Sequence, residues 1–352
     1  MSRRARRRGP IAPATPVVWP MRRPARLGTN AVLFAWAFLC IFPIYWVANT
    51  SLKSVDDIGR PGGYLPFLDY SPTLDSWRFI LFDHSENLVS RLVSSAVIGG
   101  VATVLTLTVG AMAIYALTRF APTLRWSTLA CAALTAGCLL AAWSFSGGVV
   151  QVAFLATATA SLTLGYGLRG RGPLASSEAM IFAVLATRAL SPAVLVLPLY
   201  LMAEAAGLRD THALMILVYS ALNLPVALWL LLPVLGPRAT EQEEAATLDG
   251  ASRLYILFHV LLPMARGGVA AAGLVVFLLC WNEYLFAAYL TADQALTLPP
   301  WAVGQLSLKE AQIGGEAVEW AHLSAATLLA MLPALLLSAL VQTWLARSMS
   351  GR

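Results

Sequence analysis

Two stretches of this 352-residue chain place charged groups where their surroundings are apolar or small. The first is Trp281-Asn282-Glu283-Tyr284, inside the run 267–290, where Glu283 is the lone charged residue. A carboxylate and an amide pair with hydroxyl groups, and an aromatic face covers the apolar side of a ring, so the set suits a hydroxyl-rich cyclic ligand such as a sugar. The same carboxylate suits a second role, holding helices together through a hydrogen bond or an ion pair. Arg188 is the one basic residue of the run 178–203. It stands within snorkelling reach of Glu283 if the two runs lie side by side, their depths differing by roughly 9 Å at 1.5 Å per helical residue. A structural pair with Glu283 and a ligand contact are its two readings. Asn223, Pro225 and Tyr219 form a polar, proline-broken stretch in the run 212–236; kinked helices line cavities, and a plain proline kink is the alternative. The second stretch, Glu243 to Pro263, reads EEAATLDGASRLYILFHVLLP.

Neither stretch offers catalytic chemistry. His84, His212, His259 and His322 are dispersed, and Cys40, Cys131, Cys138 and Cys280 fall in apolar runs without C-x-x-C spacing, so metal sites and disulfides are not expected. The phosphate-binding pattern G-x-x-x-x-G-K-[ST] is missing, so any nucleotide energy must come from another chain.

The elements that carry these residues follow from composition. Hydrophobic residues make up 58% of the chain and charged ones 12%. A soluble core cannot absorb that apolar content, and the chain reads as an all-α polytopic membrane protein. Eight runs are long enough to cross a bilayer: about 29–50, 92–118, 127–145, 148–168, 178–203, 212–236, 267–290 and 321–345. Residues 1–28, rich in Arg and Pro, read as a disordered basic tail that marks the cytoplasmic side, and the first run as an uncleaved span. With eight spans both termini are cytoplasmic and most of the 24 Lys and Arg lie inside. The net charge of +6 therefore reports orientation in a lipid membrane and gives no reason to expect nucleic acid.

In that topology the stretch 241–263 faces the cytoplasm. Glu241, Glu243 and Glu244 suit a helix start, Ala245 and Ala246 permit close backbone approach, and Gly250 permits a sharp turn. Ser252 caps a second helix carrying Leu254, Ile256, Leu257, Val260 and Leu261, which Pro263 stops. An ordinary interfacial loop and a docking knob both fit. In the long outer loop 51–91, Ser71 and Pro72 predict the start of a short surface helix; a docking surface and a simple lid are its two readings.

The spacing Glu244-Ala245-Ala246, Gly250, Val260, Leu262-Pro263 resembles the EAA loop of ATP-binding-cassette importer permeases, with Val260 in place of the usual Ile. Further stretches resemble the carbohydrate importers, on the side of the maltose-type second permease subunit: FPIYWVANTSLKS (42–54), AIYALTRF (113–120), TRALSPAVLVLPLYLMAEAAGLRDTHA (187–213), SALNLPVALWLL (220–231), WNEYLFAAYLT (281–291) and LTLP (296–299). The resemblance implies a permease subunit of a binding-protein-dependent sugar importer in the bacterial inner membrane. It implies that Glu244, Ala245, Ala246, Asp249, Gly250, Leu262 and Pro263 dock on an ATPase subunit. The partners would be a second permease, an ATPase dimer that holds ATP and Mg, and an extracytoplasmic sugar-binding protein, with no cofactor on this chain itself.

Two features depart from the family pattern. Residues 126–177 hold two apolar runs where a short loop is usual, which predicts a six-helix permease core, 29–125 plus 178–352, with an inserted helical hairpin. The chain also ends at Arg352 without the longer tail of maltose-type members, so a tail contact with the ATPase is not implied. Two rivals stand outside this reading. A polytopic membrane enzyme lacks an intramembrane catalytic set, and a self-energised secondary transporter leaves the EAA stretch without a role.

Overall fold

The structure, a computed structural model, describes residues 23–58, 62–83, 85–119, 177–189, 191–236, 240–304 and 316–350. The chain forms two units, 1–48 and 49–352. The described residues are mostly helical: α1 Arg23–Ser51, α2 Val55–Ile58, α3 Asp75–Arg78 with a π-helical extension Phe79–Asp83, and α4 Ser85–Arg119. After the undescribed residues 120–176 come α5 Ser177–Ala186, α6 Pro192–Ala205, α7 His212–Leu235 and α8 Thr240–Leu248. Then follow α9 Arg253–Met264, α10 Arg266–Trp281, α11 Leu285–Leu290, α12 Leu298–Gly304 and α13 Glu316–Ser350.

Among these residues four helices are long and apolar enough to cross a membrane, and up to six if each sharply bent pair is one span. The predicted runs 127–145 and 148–168, and with them the inserted hairpin, lie outside the described residues, as does most of the 1–28 tail. Four sequence expectations are corrected. The first helix starts at Arg23, inside the segment read as tail; Pro24 is tolerated because first-turn N–H groups have no helical partner. The span 178–203 is not straight, since a 3₁₀ turn at Thr187–Ala189 separates α5 from α6 and the two lie at 90°. The span 267–290 is interrupted at Asn282–Tyr284. The helix expected from Pro72 starts at Asp75, because Thr73 N–H is drawn onto Leu52 carbonyl (2.8 Å), holding the preceding residues out of the helix.

The core of residues 49–352 is the α4–α7–α10 trio. α4 and α7 run parallel: His212 Nε2 and Ser94 Oγ are 3.2 Å apart at one end, Ser220 Oγ donates to Ala102 carbonyl in the middle, and Arg119 donates to Gly236 carbonyl at the other. Two parallel transmembrane helices need an odd number of crossings between them. One bent span satisfies this, and so do that span and a hairpin. α10 runs antiparallel, with Gly268 beside Val234, Gly273 beside Leu107 and Gly99 beside Phe277. A Cβ at Gly268 would sit 2.6 Å from the Val234 side chain, so glycine is what lets α10 enter against the end of α7. Ion pairs lie at both ends of this trio, and a polar neighbourhood lies between them.

Candidate functional site

At the end where α4 and α7 finish, α8 and α9 form the helix–turn–helix expected from the EAA stretch. Gly250 has φ +81°, in the left-handed region that side-chain-bearing residues avoid, and no atom lies near a Cβ built there. Ser252 Oγ accepts from Tyr255 N–H and caps α9. Pro263 does not stop this helix as expected. The chain continues to Met264 and turns by 88° at Ala265. A π-helical stretch, Ile256–Leu261, precedes the proline; its wider turn gives room for a ring that would otherwise press on the carbonyl four residues back.

The faces of this knob are sorted. Ala246 and Leu262 pack into a cluster with Ile256, Leu257 and Leu261, together with Ile114 and Tyr115 from α4 and Leu231 and Leu235 from α7. Glu244, Ala245, Asp249, Gly250 and Pro263 are exposed. Beside them lies an exposed apolar set, Leu248 (88% exposed), Leu254, Tyr255 and Phe258, with the Tyr255 ring stacked on His259 at 4.4 Å. Burial separates the two neighbouring glutamates. Glu243 is buried and bound, and its neighbour Glu244 is open. Glu243 Oε1 accepts from Tyr115 hydroxyl (3.0 Å) and Oε2 from Arg119 Nε (2.7 Å). Sequence reading missed Glu243, Arg119 and Tyr115 as a set, although a charge at a predicted span end and another in a nearby loop were visible.

The membrane-depth polar residues assemble around α7. Arg188, on the 3₁₀ turn between α5 and α6, donates to Asn223 Oδ1 at 3.3 Å, so it pairs with Asn223 and not with Glu283. Asn223 Nδ2 donates to Tyr219 carbonyl and to Cys280 Sγ, which gives Cys280 a polar neighbour that sequence reading did not assign. Tyr219 is buried, its hydroxyl 3.5 Å from Glu283 carbonyl. The Glu283 carboxylate turns back onto its own chain, accepting from Phe286 and Ala287 N–H groups (3.0 and 3.2 Å), and so caps α11 where the span is broken. That answers the desolvation problem of an acid at this depth by a local helix-end contact.

Trp281 is corrected as an aromatic platform. It lies in the core with its indole N–H donating to Ala330 carbonyl (3.0 Å) on α13. Asn282 is exposed and bonds Leu278 carbonyl on its own helix, and Tyr284 is 42% exposed. Arg188, Asn223, Tyr219 and Glu283 therefore form one neighbourhood; Trp281 serves the packing beside it.

At the opposite end Asp210, which sequence reading passed over, holds the loop after α11. Its carboxylate accepts from the N–H groups of Ala292, Asp293, Gln294 and Ala295, all at 2.9–3.0 Å. Burial alone would raise the Asp210 pKa, but the four donors outweigh it and hold the carboxyl below its ordinary value. Arg91, buried on α4, pairs with Asp293 of the same loop, and Ser95 accepts from Leu298 N–H.

A helical bundle with broken spans, a polar neighbourhood at the breaks and a helix–turn–helix beyond one end defines a polytopic transport protein. The chain belongs to the family of binding-protein-dependent transport system inner membrane components, matched over residues 161–351. It is thus an inner-membrane subunit that translocates rather than catalyses, working with a binding protein. It is 24% identical over 316 residues to the trehalose/maltose transport system permease protein MalG of Thermococcus litoralis, covering 90% of this chain and 91% of that one. It is 26% identical over 325 residues to the diacetylchitobiose uptake system permease protein NgcG of Streptomyces coelicolor, covering 92% and 86%. Its fold matches a crystal structure of a bacterial ABC transporter involved in import of the acidic polysaccharide alginate, with a TM-score of 0.58, 17% identity, and 92% and 98% of the chains covered.

Proposed function

We propose that the chain is one of two permease subunits of an ATP-driven importer for a sugar or oligosaccharide. The observation that carries this is the knob at 240–264: Gly250 at φ +81° and the exposed Glu244, Leu248, Leu254, Tyr255 and Phe258, an apolar and acidic face on a segment that turns away from the spans. Such a face suits a cleft of a separate ATPase subunit, with Glu244, Ala245, Asp249, Gly250 and Pro263 as the docking set and with Ala246 and Leu262 seating the knob on the bundle. ATP and Mg sit on that partner, and this chain binds no cofactor. A second permease completes the pathway, and an extracytoplasmic sugar-binding protein delivers the ligand. The knob end of α4 and α7 faces the cytoplasm, as do both termini, with eight spans in all.

The carbohydrate assignment draws on the relatives, which are named for trehalose and maltose, for diacetylchitobiose and for alginate. Arg188, Asn223, Tyr219 and Glu283 supply the polar groups of the pathway, with Asn282 and Tyr284 on their open side. The test is to purify the chain with the products of its neighbouring genes and screen sugars for stimulated ATP hydrolysis. Stimulation by one sugar supports the reading; co-purification of no ATPase, or stimulation by no carbohydrate, counts against it. Replacing 127–170 by a short polar linker should leave an inserted, ATPase-associated subunit, and failure to insert would place that segment in the core.

A further inference from the structure

α8 is open to solvent on most of its turns, yet one charged side chain on it is turned inward. Glu241, Gln242, Glu244 and Ala245 are exposed, whereas Glu243 is 6% exposed. Each of its carboxylate oxygens is bound by α4, one by Tyr115 and one by Arg119. Arg119 is shared further, its Nη2 donating to Gly236 carbonyl (2.8 Å) at the end of α7. Arg253, at the start of α9, also interacts with the Tyr115 hydroxyl. Four elements, α4, α7, α8 and α9, thus meet at one charged junction. Among the described side chains of α8, Ala246 also packs on the bundle, a small apolar contact without direction of its own.

We propose that Glu243 is a positioning residue that fixes the knob to the end of α4, so that a displacement of the docking face moves α4 with it. A charge-assisted bond between two largely buried groups is short and directional, and solvent does not screen it, in contrast to an exposed ion pair whose long side chains yield. Neutralising Glu243 would leave the docking face unaltered, since Glu244, Leu248 and Leu254 are untouched, but would let the knob move without α4. The proposal rests on the reading of the knob as an ATPase dock.

The experiment uses the full complex purified through the ATPase subunit, with the four native cysteines replaced by Ser and spin labels at Ala116→Cys on α4 and Gln242→Cys on α8, both exposed positions. Distances are read without nucleotide and after trapping with Mg-ATP and vanadate. With Glu243 and Arg119 intact, one narrow distance should persist in both states. Glu243→Gln should keep the ATPase bound but broaden or shift that distance on trapping. Arg119→Lys alone, with Glu243 intact, retains the charge toward Glu243 and should keep the single distance. If Glu243→Gln does not accumulate, Tyr115→Phe removes one of the two bonds and should give a smaller broadening of the same kind. A distance that changes between states with the pair intact, or one unaffected by every variant that accumulates, overturns the proposal. Failure of the unmutated chain to retain an ATPase would remove the docking reading itself and the proposal with it.

Discussion

The two ends of the α4–α7 pair are both tied down by an acid, but in opposite ways. At the knob end, Glu243 meets two side chains, Tyr115 and Arg119. At the other end, Asp210 meets four backbone N–H groups of residues 292–295, and the cation nearby, Arg91, is spent on Asp293. Backbone donors in a tight loop are fixed relative to one another by the chain itself, so Asp210 sets the conformation of 292–295 as well as tying that loop to the start of α7. Side-chain donors on another helix are fixed only by packing, so the Glu243 contact reports the relative position of α4 and α8. The difference separates a contact that shapes the loop it binds from one that sets only the position of two helices.

The sharpest way to break the comparison is Glu243→Ala. It leaves the Arg119 guanidinium largely buried without its anion, and removal of one member of a buried pair costs about 3–5 kcal/mol. Thermal unfolding of the purified complex should show the largest drop of any variant here, and a drop no greater than that of a surface control would mean the joint is slack.

Asp210→Asn comes next. One carboxylate oxygen is replaced by an amide NH2 that cannot accept, so one of the two N–H pairs, 292 with 295 or 293 with 294, loses its partner, and the loss of charge-assisted bonds there should cost about 2 kcal/mol. The effect should be confined to exchange protection of 290–297 by hydrogen-exchange mass spectrometry; spread to α8 would erase the distinction between the two ends. The pH dependence carries the same sign. The folded-state pKa of Asp210 lies below its ordinary value of 3.8, so its contribution is whole at neutral pH and is lost as pH falls below that value toward the folded pKa. Protection of 290–297 should fall in that acid window in the parent and not in Asp210→Asn.

A smaller change is expected of Gly250→Ala, which forces a side chain into φ +81° at about 1 kcal/mol. ATPase retention should weaken by several-fold at most, with fold and exchange at residues 290–297 unchanged. The smallest is Asp293→Asn. The Asp293 side chain is 81% exposed, and the buried Arg91 keeps its bond to the Asp293 backbone carbonyl in the variant, so a melting shift as large as that of Asp210→Asn would show that the Arg91 ion pair, not the backbone nest, holds this end.

What could be read from residue order alone shares one property, that its cause lies within a few residues. Run length and lack of charge set which segments are helices in lipid; the glycine at 250 fixes a left-handed turn, and the serine at 252 caps α9 three residues on. The EAA spacing is a local pattern too, and the family match over 161–351 agrees with it. The side-chain pairings that sequence reading missed or misassigned were decided at a distance. Nothing near Glu243 in the chain says that it, and not Glu244, turns inward; its partner Arg119 is 124 residues away. Asp210 finds its donors 82–85 residues on, and Arg188 takes Asn223 and not Glu283 because the 90° turn between α5 and α6 brings it there. Sequence alone determined the helical character, the turn at Gly250 and the kind of protein, because local backbone preference and the cost of bare charge in lipid act on short stretches. Which charge meets which was left to the packing of α4, α7 and α10, because an acid placed among apolar side chains takes whatever donor the neighbouring helix presents.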